Sequence, residues 1–255
     1  MHEVQALENE NKVLRWGGLA GVLGGVFFIL VFVIVGVFVG ADAAEPAGAL
    51  IRFPDIKTAR TIENGLYLVV LILWLAHFLA LYRAVRTSLA PALFGSVLGI
   101  VGLTVLAAGA LPHVATVPIS DLYHAPGATP GHQTTLLLIW QGSQGIFDAL
   151  LFVGLVLLPI GLIALGVGMI GTPAFGKRFG GLTVGLGVIG VVAAVVVLID
   201  PRSPIAALGL FAVIAFHLVL GWKIYALSRA GRRLEDRAAG GRHAGAPPVA
   251  FESVR

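Results

Sequence analysis

The chain has 255 residues, 58% of them hydrophobic and 12% charged, with a formal net charge of +4 and no cysteine. An apolar fraction of that size, gathered in long blocks, excludes a soluble globular domain. The missing cysteines exclude disulfides, thiolate metal sites and thiol chemistry.

Residues 1–16 are polar, with Glu3, Glu8 and Glu10 ahead of Lys12, and read as a short cytoplasmic N-terminal helix. Beyond them the apolar blocks begin. A helix rises ~1.5 Å per residue, so about 20 apolar residues cross a hydrocarbon core of ~30 Å. Six stretches meet that length: 17–40, 64–84, 92–112, 147–169, 179–199 and 205–226. They lack the alternating pattern of barrel strands. The predicted fold class is therefore all-α integral membrane, with six transmembrane helices over 17–226 arranged as three parallel-repeat helical hairpins. The repeat rests on residues 15–25, RWGGLAGVLGG, which return as RFGGLTVGLGV from Arg178 and as FGSVLGIVG from Phe94. Within these copies Gly17, Gly21 and Gly25, then Gly95 and Gly99, then Gly181 and Gly185 are spaced by four. That spacing puts small residues on one helix face, where a neighbouring backbone approaches closely. It serves packing inside one bundle, or contact with a second copy or another membrane protein.

The first span ends at Ala41-Asp42-Ala43, the small-x-small pattern of a signal-peptidase site. Its apolar run exceeds the ~7–15 residues of a signal h-region, and its glycine motif recurs in later spans, so the span is retained. In the following loop Pro54-Asp55 reads as a helix start, and Arg52, Asp55, Lys57, Arg60 and Glu63 read as a solvated, mutually paired rim. The segment 112–146 differs from the rest, with four prolines, no Lys or Arg, and His113, Asp121, His124 and His132. Imidazole and carboxylate suit zinc or copper, although the spacings match no compact ligand motif such as two histidines four apart on a helix. Residues 134–146 are helical in composition and, joined to 147–169, too long for one straight span. An interfacial or outward-projecting helix is expected before the fourth span, with Pro159 kinking that span. The last hairpin turns at 200–204, and 227–255 read as a disordered, basic cytoplasmic tail.

Lys and Arg fix the orientation. With both termini cytoplasmic, Lys12, Arg15, Arg83, Arg86, Lys177, Arg178, Arg229, Arg232, Arg233, Arg237, Arg242 and Arg255 lie inside; Arg52, Lys57, Arg60 and Arg202 lie outside. Twelve against four, with Lys223 left in the last span, gives a multi-pass protein of the inner (plasma) membrane. The basic residues flank spans rather than forming a patch with interleaved aromatics, so the expected partner is the lipid bilayer and not nucleic acid.

Ionisable residues inside a membrane are costly and functional by default. Three stand there: His77, His217 and Asp148. The histidines lie about equally deep in spans two and six, and admit three readings: hydrogen bonds to neighbouring carbonyls, a proton relay, or ligation of a haem b iron from both sides. Asp148 pairs with His113 or an outer-loop arginine, or serves a cation or proton path. Haem apart, no cofactor is expected. The chain shows no phosphate-cradling loop, nucleophile elbow or paired acid and base carboxylates, and an enzyme is not expected. The two functional classes are a non-enzymatic membrane component, structural or sensory, and a small transporter using Asp148, His77 and His217. Inverted repeats would favour the second, and the repeats here run parallel.

The opening RWGGLAGVLGG, the Leu-Ala-Leu-Tyr-Arg end of span two (79–83), and GLVLLPIG (154–161) followed by RFGGL (178–182) together resemble the bacterial six-span family called domain of unknown function 4386. The resemblance covers most of 12–227. It implies a bacterial inner-membrane protein with no assigned activity and no functional residues to carry over.

Overall fold

The computed structural model describes residues 2–40, 46–200, 203 and 205–244. Its elements are α1 (His2–Ile34), closed by a π-helical turn (Val35–Val39), then α2 (Pro46–Val85), α3 (Leu89–Tyr123), α4 (Pro130–Ile170), α5 (Gly176–Ile199) and α6 (Ile205–Ala244). No strand occurs among the described residues. All six helices are long and apolar enough to cross a membrane, and each covers, to within two residues, one of the stretches read from the sequence. The protein is an all-α, six-span membrane protein.

Helices adjacent in sequence are adjacent in space, and α6 returns to α1, which closes the ring. Helix α2 also touches α4 and α6. Its face of Val70, Leu71, Trp74, Phe78, Leu81 and Val85 is buried accordingly, and forms the centre of the core with Leu103, Leu158, Leu162, Leu165, Phe216 and Leu220. The opposite faces, among them Val26, Ile29, Leu30 and Val33 of α1 and Ile72 and Leu79 of α2, are exposed and apolar, as a lipid-facing surface must be. An even number of crossings puts the N-terminus of α1 beside the C-terminal half of α6. At this terminal end Glu10 pairs with Arg86 at 3.1 Å, and Asn11 packs on Gly231. The opposite end, carrying the α3–α4 turn, is called the distal end below.

Glycines set the helix spacing. A Cβ added to Gly161 would lie 2.7 Å from the Gly99 nitrogen and 2.8 Å from the Gly95 oxygen, so α3 and α4 meet backbone to backbone. Helices α4 and α5 meet in the same way, with a Cβ on Gly166 falling 2.7 Å from the Val184 nitrogen. Helix α1 uses two faces: Gly17 and Gly21 pack on Ala80 and His77 of α2, while Gly18 and Gly25 pack on Tyr225 and Leu218 of α6. Five of the seven glycines singled out by spacing are thus contact residues. Gly181 and Gly185 are not, since nothing lies within 4 Å of a Cβ at either. The seam of α5 is made by Gly180, Gly187 and Gly190 against α4. The third copy of the repeat therefore turns its contact glycines back to α4 of the preceding hairpin, whereas the first two copies each serve two neighbours: α2 and α6 for the first, α4 and α2 (Gly99 against Phe78) for the second.

Other expectations shift as well. Helix α2 starts at Pro46 and runs through Pro54 rather than starting there. Burial of Leu50 and Phe53 repays the one backbone bond that Pro54 cannot donate. Helix α3 likewise continues through Pro112 and Pro118, with Thr116, Ile119 and Ser120 buried and Ser143 of α4 donating to the Pro112 carbonyl at 3.2 Å. The segment 112–146 is therefore the distal half of a helical hairpin turned at 124–129, where Gly127 takes φ +83° and Thr129 caps α4. Helix α4 passes Pro159 without a break. Helix α6 extends past 226 to Ala244, because Ala, Leu, Arg and Glu in that stretch are good helix formers and the next proline is Pro247. The signal-peptidase-like triplet 41–43, Arg202 and the tail beyond 244 lie outside the described residues.

Replacing Gly161 by Ala should destabilise the bundle by about 1–3 kcal/mol, since backbone and not a flexible side chain must give way. Gly185→Ala should be neutral or gain up to about 1 kcal/mol of helix propensity. Thermal unfolding of the purified protein in detergent compares the two, and equal losses would contradict the seam described here.

Candidate functional site

The three intramembrane candidates separate into two places. His77 and His217 come together, with ring centroids 5.1 Å apart, and both are 0% exposed. They sit where α1, α2 and α6 meet. Gly21 allows this: a Cβ there would fall 2.6 Å from His77 Nδ1. His77 Nδ1–H donates to the Gly17 carbonyl at 2.9 Å, since a carbonyl can only accept, and Nε2 is left on the other edge of the ring. The His217 ring lies flat on Trp74, with centroids 4.1 Å apart and planes 3° apart. Phe78 and Phe216 close the remaining edges. Trp74 Nε1, His77 Nε2 and both His217 nitrogens make no hydrogen bond among the described residues. Each such atom costs about 1–3 kcal/mol when buried. Aromatic packing on every side leaves no slot for a porphyrin between the imidazoles, and the bis-histidine haem reading gains no support.

Asp148 lies elsewhere. With Ala49, Arg52, Phe53, Ile56, Arg60 and Asn64 of α2, His113 and Thr116 of α3, and Trp140, Gln144 and Phe147 of α4, it lines a cavity of about 330 Å³ at the distal end. From Asn64 to His77 is thirteen residues, or ~20 Å along α2, and neither buried histidine lines this cavity. On α4, Trp140, Gln144, Phe147 and Asp148 recur at helical spacing and share one face. Helices α2, α3 and α4, of 40, 35 and 41 residues, overrun a ~30 Å core, so their distal ends project past α5 with its 24.

The cavity's polar groups fall into two classes. Arg60 pairs with Glu63 at 3.0 Å, Arg52 donates to the Val39 carbonyl at the end of α1, and Lys57 at the rim pairs with Asp121 at 2.7 Å. These bear out the mutually paired rim in part, though the Lys57 partner comes from α3. Asn64, Gln144 and Asp148, in contrast, make no hydrogen bond or ion pair among the described residues. Asn64 is notable because it is only 8% exposed. Asp148 therefore shares a cavity with His113 and two arginines but pairs with none of them. His113 instead stacks on Phe147, with centroids 4.1 Å apart.

The proposed outer metal set does not assemble. Among the described residues no group of three or more His, Asp or Glu converges on an ion. Continuous α3 strings His113, Asp121 and His124 over ~16 Å of helix rather than looping them round a centre. His113 faces the cavity, Asp121 is held by Lys57, His124 Nδ1–H donates to the Ser120 carbonyl of its own helix at 2.9 Å, and His132 borders a groove at the α3–α4 turn.

Sequence reasoning missed Asn64, Thr116, Trp140, Gln144 and Phe147 as site residues. The spacing of the last three with Asp148 was the available signal on α4, whereas the contribution of α2 follows only from its rotation in the bundle. No protein-family model matches this chain, and no curated protein or solved structure matches it either.

If the Gly21–His77 contact sets the α1–α2 spacing, Gly21→Ala should cost about 1–3 kcal/mol in the wild type and little in His77→Ala, where the space is vacated. The cycle should show a coupling of about 0.5–3 kcal/mol in denaturant unfolding of the micelle-solubilised protein. Additive losses would mean that the two residues do not touch.

Proposed function

We propose that this chain is a non-enzymatic, sensory component of a bacterial inner membrane, with both termini in the cytoplasm and the α2–α3–α4 cavity open to the outside as a binding site for a small ligand. One observation carries the reading: unpartnered polar side chains from two helices, Asn64, Gln144 and Asp148, face one cavity of about 330 Å³, within the ~300–1,000 Å³ range of ligand sites. The orientation rests on the distribution of Lys and Arg, and the bacterial assignment on the resemblance to the domain of unknown function 4386 family.

The transporter reading needs Asp148, His77 and His217 on one polar route. The histidines are sealed among aromatic rings and Asp148 opens on a different set of helices, so that reading is the weaker one.

The cysteine-free chain offers a direct test. A single Gln144→Cys variant expressed in intact bacterial cells should react with a membrane-impermeant maleimide without permeabilisation. Reaction after permeabilisation alone would reverse the orientation. Absence of reaction under both conditions would mean that the cavity is closed and the binding-site reading fails.

A further inference from the structure

The charges around the cavity specify more than the presence of a site. The inference that follows rests on the binding-site reading above and names the ligand class. Arg52, at the mouth, is held by the Val39 carbonyl, and Arg60, one turn from Asn64 on α2, is matched by Glu63 at 3.0 Å. Arg52 also lies twelve residues, or ~18 Å along α2, above Asn64. The floor is different. There Asp148 is the carboxylate, and no cation of the described residues pairs with it. Asp148 is the deepest α4 residue of the lining and is itself exposed: Ser143 bonds the Pro112 carbonyl, and Asp148 follows five residues further from the distal end. Side chains on a helix tilt toward its N-terminus, which for α4 is the distal end, so the Asp148 carboxylate leans up into the cavity. On the same face of α4 are Phe147 next to it, with one ring face stacked on His113, Gln144 one turn and Trp140 two turns toward the distal end, and α2 contributes the buried amide of Asn64.

A carboxylate without a counter-ion, set among aromatic faces and amides at the edge of a hydrocarbon layer, is a receptor for a positive charge that carries apolar substituents. The carboxylate supplies the countercharge, the rings attract the cation through their π faces, and the amide oxygens accept N–H hydrogen bonds where the ligand has them. A bare metal ion is less suited, because the floor offers one carboxylate where hard cations take six or more oxygens. We propose that the floor of this cavity binds a small organic ammonium group, with Asp148 as its counter-ion and Trp140 and Phe147 as its aromatic walls. The same chemistry is presented by a free amine or quaternary ammonium solute and by the ethanolamine headgroup of a lipid seated against the bundle.

Titration calorimetry of the full chain in maltoside detergent, with choline as the probe, tests this. Saturable one-to-one binding is expected, with acetate inert. Asp148→Asn should weaken choline binding about 10- to 100-fold, the loss expected when a cation without N–H donors is deprived of a countercharge a few ångströms away, and Asp148→Glu should retain most of it. Repeating the titration in nanodiscs of phosphatidylethanolamine and of phosphatidylglycerol assigns the source. Suppression of choline binding by phosphatidylethanolamine alone identifies the lipid headgroup, and equal binding in both identifies a free solute; either upholds the ammonium site. If choline does not bind, or binds equally well to Asp148→Asn, while Gln144→Cys is labelled from outside, the ligand class is overturned and the open site stands. If Gln144→Cys is also unreactive, the site itself is overturned.

Discussion

Between two helices in lipid, the surrounding solvent is as apolar as the side chains, and association depends on how closely backbones approach. This bundle depends on that approach. Gly95, Gly99, Gly102, Gly154 and Gly161 bring α3 and α4 into main-chain contact, and Gly166 with Gly180 does the same for α4 and α5. Helix α1, with glycines on two faces, is gripped on one side by α2 and on the other by α6, which is what closes the ring. Large side chains would hold these axes apart and open gaps that neither lipid nor water fills well.

Close packing near the terminal end and loose packing near the distal end follow from the same residues. Toward the terminal end the glycines let His77 and His217 be swallowed entirely, at the expense of several unmade hydrogen bonds. Toward the distal end the seam runs out: a Cβ on Gly109 would make only ordinary contact with Leu150 at 3.5 Å, and nothing lies within 4 Å of one on Gly142 or Gly145. The cavity lies where α2 is no longer drawn tightly onto α3 and α4. It is therefore a property of the glycine distribution as much as of the polar residues that line it.

Much of this was legible in the chain itself. Six spans could be read because lipid imposes a minimum apolar length, and the similar depth of His77 and His217 followed from their places in two spans of the same direction; that their rings touch did not. Other features needed rotation as well as depth. Gly180 and Gly181 are adjacent in one motif, yet a step of one residue turns the side chain by ~100°, and only Gly180 meets α4. Pro54 reads as the start of a helix and Pro112 as the limit of a span, although packing of Phe53 and the bond from Ser143 keep the chain helical through both. The cavity draws on α2, α3 and α4 together, and sequence spacing exposes one helix face at a time.

Arg52 also ties two helices together. It stands at the mouth of the cavity on α2, while its guanidinium holds the carbonyl of Val39, where α1 ends in a π-helical turn and Gly40 turns the chain at φ +69°. Helix α1 is thereby pinned to α2 at the distal end, and at the terminal end Glu10 and Arg86 pin it again. A strut fastened at both ends cannot slide without loading its fasteners. An axial displacement of α2 beside the cavity therefore loads the Arg52–Val39 contact at one end of α1 and the Glu10–Arg86 pair at the other.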